Sequence, residues 1–171
     1  MNLLCLLACL FVLAVSTSCS YLKGKPPEAV FRCVVKDFPT PGTSVMVWAI
    51  EQQSSYVGPE DRRAEHEATM WLREHGLSVV KRSQVEQVFS EQHLSMESGD
   101  AASLLQVGKL TGAKQVVLLQ AYSDRVMVRA VDIETGSIVW SGTGEYVDAS
   151  SDFKARASAP SLTRKTLEFV L

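Results

Sequence analysis

The sequence has few of the residues from which catalytic and metal sites are built. Only three histidines occur in 171 residues, and His66 and His75 are nine residues apart on one predicted helix. Nine residues turn an α-helix by about 900°, so these two side chains point to opposite faces and cannot share a ligand site. Met70 stands where Glu65-His66-Glu67 would need a second zinc-binding histidine. We expect all the histidines to be solvated or at the edges of helix faces.

Other catalytic motifs are absent as well. The sequence contains no Gly-rich phosphate loop, Cys-x-x-Cys pair or nucleophile elbow. Glu65, Glu67, Asp132 and Glu134 are predicted to lie on an exposed helix face or in a turn, where carboxylates are solvated and not paired for acid–base work. The sequence therefore predicts a protein that works by binding, with no catalytic residue, no metal and no cofactor. A small-molecule hydrolase with an unfamiliar site is the least favoured alternative.

An excess of basic charge is also missing. Lys and Arg number 17 against 19 Asp and Glu, which gives a formal net charge of −2 with no basic block. Nucleic-acid-binding domains usually concentrate Lys and Arg on one face. We therefore expect no nucleic-acid partner.

The first eighteen residues carry no charge, and the apolar run 3–15 ends in Ser16-Thr17-Ser18 directly before Cys19. About 13 apolar residues suit a signal-peptide core and fall short of the roughly 20 that a membrane-spanning helix needs. The small residues before Cys19 resemble the lipobox of bacterial lipoproteins, where cleavage precedes a diacylated cysteine. We expect residues 1–18 to be a removed signal peptide and Cys19 to be lipidated. An ordinary secretory signal or a short membrane anchor is the alternative.

Lipidation at Cys19 would attach the chain to a membrane through its acyl chains. Ser20, and not Asp, follows the cysteine, which resembles default sorting to the periplasmic face of the outer membrane in Gram-negative hosts. Residues 19–28 form a short tether that reaches on the order of 25 to 30 Å when extended. Residues 29–171 have the size of one compact domain. Cys33 is then the last free thiol, and we expect it to be a buried small apolar residue.

Strand and helix patterns alternate from residue 30 onward. This alternation predicts a single α/β domain with a mixed sheet of about five to six strands packed with three to four helices. Strands are predicted at 31–35, 44–50, 77–80, 116–119, 125–133 and 138–146, the last two as an antiparallel hairpin with Gly136 at positive φ. Four helices are predicted. The first spans 60–75, the second begins at a capping box of Ser83 and Glu86, and the third begins at an N-cap at Asp100. The fourth begins at Pro160, and its Phe169 is predicted to face inward.

One predicted strand carries a candidate partner-binding site. In 125–133, Val126, Val128 and Ala130 alternate with Arg125, Met127, Arg129 and Val131, and the all-apolar side is the natural core face. Arg and Met are enriched at protein interfaces. Arg125, Met127 and Arg129 are therefore predicted to bind an envelope protein partner or a second copy of the chain. The alternative is that a helix packs over this side.

The amino-acid sequences of three segments resemble a known family. Residues 76–82, 108–113 and 131–140, with Gln84, Val88 and Leu94 between them, are similar to the periplasmic domain of the CsgG family. That family includes the curli secretion channel subunit and is structurally akin to lipoprotein activators of penicillin-binding proteins. The resemblance implies an accessory or assembly role in the bacterial cell envelope, with an activator of a peptidoglycan synthase as the alternative.

The resemblance does not extend to a pore. Channel members of the family carry extra amphipathic hairpins that close into a transmembrane barrel, and one such hairpin needs over about twenty residues. Neither residues 52–59 nor the turn at 122–124 can hold one. We therefore expect no secretion channel.

Overall fold

The computed structural model describes residues 28–35, 37–50, 60–94, 101–122, 124–147 and 159–170. The predicted signal peptide, Cys19, residues 19–27 of the tether and the predicted N-cap Asp100 lie outside these residues. In the described part of the chain, no helix has the length and apolarity needed to cross a membrane.

Six strands form one mixed sheet: β1 (Glu28–Val35), β2 (Ser44–Ala49), β3 (Ser78–Val79), β4 (Gln115–Ala121), β5 (Arg125–Asp132) and β6 (Ile138–Val147). Their order across the sheet is β1-β6-β5-β4-β2-β3. Strand β2 is parallel to β3 and β4, whereas the remaining neighbours are antiparallel. The predicted fold class and the predicted hairpin of β5 and β6 are both confirmed.

Gly136 and Asp132 determine the conformation of the turn between β5 and β6. Gly136 has a φ of 69°, in the left-handed region that glycine adopts at no steric cost. Asp132 Oδ1 accepts hydrogen bonds from the backbone N–H of Thr135 at 2.8 Å and from its hydroxyl at 2.9 Å. These bonds to Thr135 hold the pKa of Asp132 below its ordinary value.

The described residues also form four helices: α1 (Glu60–Glu74), α2 (Arg82–Glu91), α3 (Ala101–Leu110) and α4 (Ala159–Val170). Apolar residues at i, i+4, i+7 and i+8 of α1 are all buried, as the helical period requires: Ala64, Ala68, Trp71 and Leu72. The predicted start of α2 is wrong by about two residues. Its N-cap is Lys81, whose backbone N–H donates to Gln84 Oε1 at 3.3 Å, and Ser83 and Glu86 already lie within the helix.

The helices cover the two faces of the sheet unequally. Helices α1 and α4 pack on one face, where buried residues of β2, β4, β5 and β6 meet theirs in one large core. Helices α2 and α3 pack on the other face, and their smaller core reaches β2, β4 and Ile133 just after β5. Among the described elements, helices therefore cover both faces of the sheet only over β2 and β4.

Two glycines in β6 let α4 lie close to the sheet. A Cβ atom on Gly142 would lie 2.7 Å from Val170 Cγ2, and one on Gly144 would collide with Thr166 Oγ1. Neither side chain can retreat, because Val170 and Thr166 are buried. Glycine is therefore required at these positions by the approach of the helix.

Two burial predictions are wrong. Cys33 is exposed, because it lies on β1, the edge strand of the sheet, which has a neighbouring strand on one side only. Phe169 was expected to face inward but half of its side chain is exposed, and its ring lies 5.6 Å from that of Phe31 at the margin of the core.

Candidate docking surface

The strands β1, β6 and β5 present one face that no described element covers. Alternate residues of β5 point to the core, since Val126, Val128 and Ala130 are completely buried. Their neighbours point away from α1 and α4, and α2 and α3 do not extend over them. We call this the open sheet face and define it by nine residues: Val30, Arg32, Val34, Arg125, Met127, Arg129, Ser141, Thr143 and Glu145.

The register arranges these residues in three rows across the strands. Each row runs from β1 through β6 to β5. The rows are Val30–Glu145–Arg125, Arg32–Thr143–Met127 and Val34–Ser141–Arg129. Directly opposed residues on one face have Cβ atoms about 4.5 to 5.5 Å apart. The result is a continuous surface, and not a single stripe along one strand.

The predicted partner-binding residues form the row of this surface that lies on β5, next to β4. Arg129 is exposed, and Arg125 and Met127 are half-buried. Arg125, Met127 and Thr143 line a shallow depression of about 190 Å³ together with Val30, Arg32 and Glu145. The alternative, a helix packed over the arginines, does not occur among the described residues.

The charge of the open sheet face is positive. Three arginines stand against the single carboxylate of Glu145. The guanidinium of Arg125 lies 4.8 Å over the ring of Tyr122, and its buried Nε has no hydrogen-bond partner among the described residues.

Apolar residues add to the surface. Val34 is 61% exposed and Val30 39% exposed, each beside an arginine of the open sheet face. Sequence reasoning missed this contribution of β1, because nothing in the local pattern of residues 30–35 predicts that β1 pairs with β6. A mixture of apolar side chains, Met and Arg is the composition typical of a protein interface core.

One carboxylate expected to be solvated is buried. Glu65 is only 7% exposed, and its Oε2 accepts hydrogen bonds from the Ala49 N–H at 3.2 Å and from Arg82 Nη1. Burial lowers the pKa of Arg82, but the hydrogen bonds and charges of Glu65 and Glu86 outweigh it and hold that pKa above its ordinary value. The prediction of an exposed Glu65 is wrong, because its helix face borders the ends of β2 and β3.

The histidines behave as the sequence predicts. All three are exposed, and His75 stacks on Trp71 with ring centroids 3.9 Å apart. Within the described ranges, no three His, Cys, Asp or Glu side chains lie close enough together to hold a metal ion.

The fold of the chain is similar to that of proteins with solved structures. No family model matches the chain, and no curated protein matches it. The PelC dodecamer from Paraburkholderia phytofirmans matches with a TM-score of 0.51 and 17% identity, over 82% of this chain and 95% of that chain. The LpoB C-terminal domain from Salmonella enterica matches with a TM-score of 0.51 and 19% identity, over 63% of this chain and 84% of that chain.

These similarities define the class of fold. The chain has the mixed-sheet α/β fold found in PelC and in the C-terminal domain of LpoB. Membership of the CsgG family is not shown by these comparisons and stays an expectation from the sequence.

Proposed function

We propose that the chain is a lipid-anchored, non-catalytic accessory protein of the bacterial cell envelope that docks on a peptidoglycan synthase and activates it. The observation that carries this proposal is the open sheet face, a positive and partly apolar surface on a rigid sheet. The fold shared with the LpoB C-terminal domain supports the activator role over the assembly role that the CsgG resemblance implies.

The composition of the open sheet face sets the chemistry of the contact. Arg32, Arg125 and Arg129 can each form a planar, two-pronged hydrogen bond with a carboxylate, and Met127 can fill an irregular apolar gap. The fitting surface on the synthase therefore has carboxylates opposite the three arginines and apolar side chains opposite Met127, Val30 and Val34. Because charge steers such encounters, association should weaken as the salt concentration rises.

The tether limits where docking occurs. With Cys19 in the membrane and a reach of about 25 to 30 Å, the domain stays close to the bilayer. A synthase anchored in the inner membrane must therefore extend most of the way across the periplasm to meet it.

Co-purification tests the proposal. The affinity-tagged full chain is extracted in mild detergent from its native host after the membranes have been treated with a fluorescent penicillin. We expect a fluorescent penicillin-binding protein to co-purify and to be released by high salt. Recovery of the tagged chain at low salt with no fluorescent partner would refute the synthase as the partner.

A second copy of the chain is the other candidate occupant, because the matching PelC structure is a dodecamer. Self-association through the open sheet face would produce a native mass that is a multiple of the protomer mass. Light scattering of the purified chain separates this case from the first, in which the chain alone stays monomeric.

The anchor gives a separate prediction. Cys19→Ala should leave the signal uncleaved and acyl mass absent, since the thiol that carries the diacylglycerol is gone. One acyl chain holds a protein only marginally, whereas two or three hold it stably, so the parent chain should remain membrane-bound after carbonate extraction. Intact-mass analysis checks this result. A Cys19→Ala chain that is processed and acylated like the parent would contradict the assignment, and Cys33→Ala is the matched control.

A further inference from the structure

A second site lies at the opposite end of the sheet from β1. It is a groove of about 310 Å³ between α1 and the connection from β3 to α2. One wall is a single face of α1, formed by residues at i, i+3, i+4, i+7 and i+11: Arg62, Glu65, His66, Thr69 and Arg73. Val47 and Val80 form the floor, and Arg82 forms the opposite wall.

The groove stands where α/β sheets usually bind ligands. Strands β2 and β3 are parallel, and β3 ends at Val79, level with Val45, whereas β2 continues to Ala49, so the groove lies beyond the carboxyl end of β3. In open α/β sheets, ligands bind outside the carboxyl ends of parallel strands, since the connections leave a crevice there. Glu65 reaches this position from α1, as its bond to the Ala49 N–H shows.

Arg82 is held in place before any ligand arrives. Its Nη1 donates to Glu65, its Nε donates to Glu86 Oε1 at 2.7 Å, and its guanidinium lies 4.7 Å over the Trp48 ring. Its Nη2 makes no hydrogen bond within the described part of the chain. An arginine fixed on three sides loses little conformational entropy when a ligand accepts hydrogen bonds from its remaining donors.

The other two arginines of the groove have no carboxylate partners among the described residues. This differs from Arg164 on α4, whose guanidinium contacts Glu67, Glu74 and Glu168. The groove therefore carries three guanidiniums and one carboxylate, although the chain as a whole has a net charge of −2. Composition alone does not account for this local excess of positive charge.

We propose that the groove binds a small organic oxyanion, a phosphate or a carboxylate, whose apolar part rests on Val47 and Val80. Arg62 and Arg73 supply positive charge that no described carboxylate pairs with, and Arg82 supplies oriented donors. A carboxylate is planar and a phosphate is tetrahedral, but each presents a pair of oxygens that can accept the two parallel hydrogen bonds of a guanidinium group. The site is independent of the docking proposal, because it lies on β2 and β3 and shares no residue with the open sheet face.

Calorimetric titration of the full chain in detergent, at constant ionic strength, tests this proposal with phenyl phosphate, benzoate and inorganic phosphate. We expect one equivalent of phenyl phosphate or benzoate to bind, and the stronger of the two identifies the oxyanion. Inorganic phosphate should bind more weakly because it has no apolar part. Arg62→Gln with Arg73→Gln should weaken binding by about tenfold or more.

Lys109→Gln with Lys165→Gln removes the same charge from two exposed helix positions and should leave binding unchanged. Circular dichroism of both double variants verifies the fold, and the single variants Arg62→Gln and Arg73→Gln replace the pair should it misfold. The proposal is overturned by an absence of binding up to about 10 mM of all three probes, a range that covers weak sites. Equal binding by the arginine and lysine variants would overturn it too.

Discussion

Replacing Arg125 and Arg129 together by glutamate should abolish co-purification of the penicillin-binding protein while the domain stays folded. Each substitution replaces a guanidinium of the open sheet face by a carboxylate, which would repel the carboxylates of an acidic partner. Interface arginines at such positions are frequent hot spots, and charge pairs there couple by several kcal/mol. We expect the affinity to fall by about 100-fold or more, measured with the purified partner by surface plasmon resonance.

The fold should tolerate this double substitution, because neither side chain is part of a buried core. The largest cost arises at position 125, where a glutamate would stand directly opposite Glu145. Like charges in opposed sheet positions destabilise by at most about 1 kcal/mol. A small decrease in the melting temperature is therefore expected.

Lys109→Glu with Lys165→Glu is the matched control, since it changes the net charge equally at two exposed helix positions outside the nine residues of the open sheet face. Arg125→Gln with Arg129→Gln removes the guanidiniums without adding repulsion opposite Glu145 and should weaken binding in the same direction. A control variant that loses the partner as completely as the arginine variant would show that only overall charge matters. A large loss of stability in the arginine variants would instead assign these residues to the folded core.

Trp140→Ala should have the largest effect on stability. Trp140 is completely buried, its ring lies 5.4 Å from that of Phe38, and its Nε1 donates to Gln115 Oε1 at 3.3 Å. Truncating a buried Trp to Ala usually costs about 3 to 5 kcal/mol, and leaving the buried Gln115 oxygen unsatisfied adds to this cost. Domains of this size are stable by only about 5 to 15 kcal/mol. We expect a partly or wholly unfolded protein by thermal circular dichroism.

Trp140→Phe separates the two contributions. Phenylalanine keeps an aromatic ring against Phe38 but cannot donate to Gln115, so its cost should be clearly smaller than that of alanine. Equal and small effects of both substitutions would show that Trp140 does not support the core in the way we describe.

The fold was predictable wherever one period dominated the local sequence. The burial of Ala64, Ala68, Trp71 and Leu72 follows from the helical period alone, and the hairpin of β5 and β6 follows from strand alternation around Gly136. Both patterns are set by residues close together in the chain.

The wrong predictions depend on contacts that are distant in sequence. Cys33 is exposed because β1 lies at the edge of the sheet, which only its pairing with β6 decides. Glu65 is buried because Ala49 and Arg82 come to it from two other elements. Periodicity places a side chain on a face but does not tell what that face meets.

The candidate site divides in the same way. Arg125, Met127 and Arg129 were identified from β5 alone. The all-apolar side of this strand is the natural core face, so the side with the two arginines and the methionine faces away from the core. Val30, Arg32 and Val34 join them only through the register of β1 with β6. The positive groove was not foreseen, since its walls come from α1 and from the residues that follow β3.

The most direct test of the docking proposal is a photo-reactive amino acid placed at Met127 in the native host. After irradiation and labelling with fluorescent penicillin, we expect a fluorescent cross-linked product that contains the chain and a penicillin-binding protein. The same amino acid at Lys165, on the opposite side of the domain, should give no such product. Cross-linking to the penicillin-binding protein from position 165 but not from position 127 would contradict the open sheet face as the docking surface.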